Sequence, residues 1–92
     1  MTLSRKGSRR ITVDETAYRW VVSPNDEPGL GIVVEVEPGP GQRMVTWVEH
    51  GTVIAPGLVR RVILHALAHG WNPSQQGPEL VFRIDPRALN IG

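Results

Sequence analysis

Residues 56–69, PGLVRRVILHALAH, form the one segment of this chain that is long enough and periodic enough to read as a helix. Leu58, Val59, Val62, Ile63, Ala66 and Leu67 recur at i, i+1, i+4, i+5 spacing, which makes one broad apolar face at 3.6 residues per turn. Arg60, Arg61, Leu64 and Ala68 fall on the rest of the circumference. Pro56 suits the first helical position, where its missing N–H has no intrahelical partner to lose. Gly70 suits the position just past the end, where a left-handed residue closes the last turn. Asn72-Pro73 then forbids continuation.

Working outward, the residues before this helix read as strands. Ile11 and Val13 alternate with Arg10, Thr12 and Asp14. After a turn at Asp14-Glu15-Thr16 the alternation resumes, with Tyr18, Trp20 and Val22 opposite Arg19, Val21 and Ser23, so a β-hairpin is expected. The Pro- and Gly-rich stretch from Ser23 to Gly31 is loop chemistry. A third strand spans Gly31 to Glu37, with Ile32, Val34 and Val36 on one face and Val33, Glu35 and Glu37 on the other, the two glutamates being expected on its solvated side. The Pro-Gly-Pro-Gly loop that follows is short enough to impose antiparallel pairing on a fourth strand, Gln42 to His50. Met44, Thr46 and Val48 there oppose Val45, Trp47 and Glu49, so both faces are apolar. Past the helix, Trp71 is expected to fold back on the last turn, and Glu79 to Asp85 makes a fifth strand. The expected architecture is therefore α+β, in the order β-β-β-β-α-β: an antiparallel-dominated sheet of about five strands with one helix packed on one face.

Ninety-two residues suit one core, burying roughly 60–65% of the surface of the unfolded chain. The division read from the sequence is a basic, flexible arm at 1–8 and a single domain at 9–92. With 40% hydrophobic and 21% charged residues, neither disorder nor a membrane protein is indicated. The absence of cysteine excludes disulfides, thiolate chemistry and Cys-ligated zinc. The first thirty residues lack the apolar run of a signal peptide, and no stretch is long enough for a bilayer span, so a cytoplasmic location is expected. Charge is distributed unevenly. Arg5, Lys6, Arg9 and Arg10 fall within the first ten residues without an acid among them, whereas the rest carries six basic against nine acidic residues.

No motif carries catalysis. His65 and His69 stand four apart on the helix, a spacing that can chelate a metal, but the glutamate of an H-E-x-x-H site is missing and the remaining histidine is His50. A half-buried imidazole with a backbone partner is the reading adopted, with no metal or other cofactor. Glycines cluster with prolines in turns rather than in a phosphate loop or nucleophile elbow. Because Met44, Val45, Trp47 and Val48 cannot all face the helix, some apolar surface should remain on the opposite sheet face. The expectation is thus a non-catalytic protein-interaction or self-association module. The alternative is nucleic-acid binding, with Arg5, Lys6, Arg9 and Arg10 on phosphates and Tyr18, Arg19 and Trp47 extending the surface.

The opening R-K-G-S-R-R-I-T-V-D at Arg5 to Asp14, the strand Tyr18-Arg19-Trp20 and the helix running into A-L-A-H-G-W-N-P resemble a family of small uncharacterised bacterial proteins. The resemblance covers most of the chain and implies one bacterial domain with structural rather than catalytic motifs. Glu15 stands where that pattern leads one to expect glycine.

Overall fold

The computed structural model describes residues 7–24, 29–37, 41–49 and 53–84. Five strands and one helix follow in the expected order: β1 (Arg9–Val13), β2 (Thr16–Pro24), β3 (Leu30–Val36), β4 (Met44–Val48), α1 (Pro56–Ala68) and β5 (Leu80–Arg83). The strands form one sheet in the order β1-β2-β3-β4-β5. The first three pairings are antiparallel. The last, β4 with β5, is parallel, because α1 carries the chain back across the sheet before β5 begins. This is an α+β fold.

The first hairpin pairs Val13 with Thr16 across a two-residue loop. Asp14 and Glu15 both have positive φ, 50° and 70°, the backbone of a type I′ turn, which matches the right-handed twist of the strands it joins. Glu15 therefore occupies a left-handed position that glycine fills without strain.

The helix is built as its sequence dictates. Pro56 opens it, Ala55 supplies an extended N-cap residue without a side-chain cap, and the carbonyl of Ala55 accepts from the Leu58 and Val59 N–H groups. His69 is the C-cap rather than the last helical residue. Gly70, at φ 101°, turns the chain so that the Trp71 N–H donates to the Ala66 carbonyl. Val59, Val62, Ile63 and Ala66 are buried, while Leu58, Leu64 and Leu67 pack at the rim of the core. Against them the sheet presents Val13, Tyr18, Trp20, Ile32, Val34, Met44 and Val48. Thr46 is fully buried in the same face and donates its hydroxyl to the Met44 sulfur at 3.0 Å.

Trp71 closes the core at the end of the helix. It is 3% exposed, its ring centroid lies 5.6 Å from that of Tyr18, and its Nε1 donates to the Gln42 carbonyl at 2.8 Å. The Gln42 side chain fastens the following loop, accepting from the Asn72 N–H and donating to the Pro78 carbonyl. The approach is close enough that a Cβ on Gly41 would run into the Pro73 carbonyl. The G-W-N-P segment is thus a lid on the core, fixed from the β3–β4 connection.

Candidate functional site

Period-two alternation sends every second strand residue to the face that the helix leaves uncovered. The registers align these residues in rows across the strands. Val21, Val33, Val45 and Val81 stand side by side on β2, β3, β4 and β5. Val21 and Val33 are half-buried and Val45 is nearly covered, while Val81, on the last strand, is 54% exposed. The next row is Ser23, Gly31, Trp47 and Arg83. Trp47, half-buried, lies over Gly31, where a Cβ would sit 3.2 Å from two of its ring carbons. Glycine in β3 thus makes the space that seats the indole flat on the sheet.

The row on the other side of the valines is charged. Arg10 pairs with Arg19, and Arg19 with Glu35, in register. Arg43 extends the row one residue before β4 and places its Nε 3.5 Å from Glu35 Oε2. Arg19 Nε approaches Glu37 Oε2 at 2.9 Å, a close ionic contact rather than an aligned hydrogen bond, and Arg10 Nε reaches the same oxygen at 3.8 Å. Two arginines placed directly opposite each other repel, and Glu37, within ion-pair distance of both, offsets part of that repulsion.

Glu35 departs from the sequence reading. It was expected on a solvated side, yet it is 3% exposed. Flanking strands supply Arg19, in register, and Arg43 on either side, with Arg43 Nε 3.5 Å from the buried carboxylate. Periodicity assigned the correct face; the neighbours that flank it come from other strands.

The residues singled out as contacts do not gather at one place. Arg5 and Lys6 lie outside the described residues, as does His50. Arg10 and Arg19 lie on the open face within the ion-pair row. Arg9 points to the helix side, its guanidinium carbon 5.9 Å from the Trp20 ring centroid, beside a shallow groove of about 290 Å³ bordered by Gly7, Trp20, Val22 and Ile54. Tyr18 is a correction to the expected contact surface: it is 3% exposed, on the face opposite Arg19, and packs on Trp71. Burial raises its phenol pKa, the Thr16 hydrogen bond opposes that, and Asp14 adds to it, so the ring is a neutral core residue. Ser8 accepts from Arg19 Nη1 at 3.4 Å. Among the described residues, Trp47, Arg10 and Arg19 of the proposed contacts share the open face.

His65 and His69 stack with ring centroids 4.1 Å apart, and His69 Nδ1 lies 2.7 Å from the His65 carbonyl. Among the described residues no group of three or more His, Cys, Asp or Glu converges on a point that could hold a metal ion, and no helix is long and apolar enough to cross a membrane. Two imidazoles supply half of a tetrahedral shell. The valine row was the feature that sequence reading missed. Each valine was visible as an outward residue, but register across four strands was needed to see them as one strip.

Comparison of the chain with protein-family models, with curated proteins and with solved structures finds no match.

Proposed function

We propose that this chain is a non-catalytic, cytoplasmic binding module that pairs with a second copy of itself through the open face of its sheet. The observation that carries this reading is the in-register strip Val21, Val33, Val45 and Val81, bordered by Trp47. An apolar strip at the centre with charges along its margin has the composition of an interface rather than of a solvated sheet face.

A second copy is the occupant that the pattern fits. A two-fold axis parallel to the strands, between β3 and β4, would set Val33 against Val45 and Val21 against Val81 of the other copy. The same operation would lay the Arg19, Glu35 and Arg43 row of one copy along the same row of the other, with Glu35 kept buried against its own Arg43. A standard interface takes about 800 Å² from each partner, roughly a seventh of the 5779 Å² surface of the chain. The whole open face would therefore have to take part, and association in the micromolar range is expected.

Nucleic-acid binding is less well supported. Arg10 and Arg19 share Glu37, Arg43 sits against Glu35, and Arg9 lies over Trp20. A polyanion approaching the open face would meet these carboxylates as well as the arginines.

Sedimentation velocity over a wide concentration range tests the proposal. The expected result is a concentration-dependent shift to twice the monomer mass, lost in Val81→Asp, whose side chain is exposed enough to leave the fold intact. A strict monomer at the highest soluble concentration would overturn it.

A further inference from the structure

The imidazole pair at the end of α1 plays no part in the association described above. His65 is half-buried on the helix shoulder and His69 is exposed at the C-cap. Their rings stack at 4.1 Å with 25° between planes, and both stand edge-on to Phe82, at 5.5 Å and 6.5 Å. Phe82 belongs to β5, the last strand of the sheet. The three rings therefore join the last turn of the helix to that strand.

Hydrogen bonding fixes the protons. The His65 carbonyl can only accept, so His69 Nδ1 carries a proton and donates to it at 2.7 Å, leaving Nε2 as the basic nitrogen. His65 Nδ1 is buried and has no hydrogen-bond partner among the described residues. A proton placed there would have no acceptor, so neutral His65 holds its proton on Nε2.

We propose that His65 and His69 form a pH-sensitive latch, closed while His65 is neutral and opened by its protonation, which separates the last turn of α1 from Phe82 and loosens β5. A second proton on His65 would bury an unsatisfied N–H at Nδ1, and a cation on His69 would face a cation on His65 across the stack. Among the described residues no carboxylate side chain stands beside the pair, and the partial negative charge of the helix end is the one favourable field for a cation there. Along α1 the charged residue one turn earlier is Arg61, itself a cation. From β5 the facing side chain is Phe82, with Arg83 alternating to the opposite sheet face, and from β4 the neighbour of Phe82 is Thr46. Desolvation holds the His65 pKa below the ordinary histidine value, and the charge of His69 lowers it further. The latch is therefore fully closed above about pH 6.5, the unfolded-state value, and is lost as pH falls towards the folded-state value.

Nuclear magnetic resonance of the full chain tests this in two ways. Titration of the histidine side chains should place His65 below the ordinary value. Between pH 7.5 and 5, amide exchange corrected for its intrinsic rate should show Leu80 and Ile84, which donate to the Arg43 and Trp47 carbonyls, losing protection. Ile32 in β3 should change far less. In His65→Leu the loss at Leu80 and Ile84 should shrink towards that of Ile32. His65 titrating at or above the ordinary value, unchanged protection in the natural chain, or an undiminished acid effect in His65→Leu would each overturn the latch.

Discussion

Valines line both faces of the sheet, and the two sets are held differently. On the helix side Val13, Val34 and Val48 are 1%, 0% and 3% exposed, sealed by Val59, Val62 and Ile63 from above. On the open side Val21 and Val33 are half-buried, Val45 is 7% exposed and Val81 is 54% exposed. The same side chain in the same backbone conformation thus serves as core at Val13, Val34 and Val48 and as accessible surface at Val81. What separates them is a second layer, and polar groups follow the same division. Thr46 on the covered face donates to a sulfur, whereas Glu35 on the open face is matched by Arg43.

The largest effect expected lies on the covered face. Ile63→Ala should destabilise by about 2–5 kcal/mol, because the cavity has sheet on one side and helix backbone on the other and cannot collapse fully. Chemical denaturation would show this directly, and Val33→Ala on the open face should cost clearly less. Equal losses would mean that the two faces are alike. Gly41→Ala comes next, at about 2–4 kcal/mol, since its methyl group must displace the Pro73 carbonyl and with it the Trp71 lid.

Open-face changes should be smaller and more specific. Glu35→Ala removes the counter-charge of Arg43, whose side chain is 32% exposed and can partly rehydrate, so about 1–2 kcal/mol is expected in thermal unfolding rather than the larger loss of a fully buried pair. Away from both faces, Glu15→Gly relieves a left-handed φ of 70° and should raise stability by about 1 kcal/mol. Val81→Asp should change monomer stability by no more than about 0.5 kcal/mol while abolishing the proposed association. A large stability loss in that variant would mean that Val81 is core, and the distinction between the faces would fail at β5.

Much of this architecture could be read from short-range pattern. The helix boundaries came from Pro56 and Gly70, because a missing N–H and a positive φ are local properties. The grouping of Tyr18, Trp20 and Val22 on one face of their strand, and of Ile32, Val34 and Val36 on one face of theirs, came from alternation, which needs no knowledge of neighbours. Antiparallel pairing of β3 and β4 followed from loop length. Tertiary structure decided what depends on contacts between distant segments. It set the parallel pairing of β5, the burial of Glu35 between arginines eight residues ahead and sixteen behind, and the seating of Trp71 beneath the Gln42 carbonyl. It also placed Tyr18 in the core and gathered four separately unremarkable valines into one strip. A strand's own sequence determines which side each residue faces, but exposure and partnership belong to the strands beside it, and only the folded sheet specifies those.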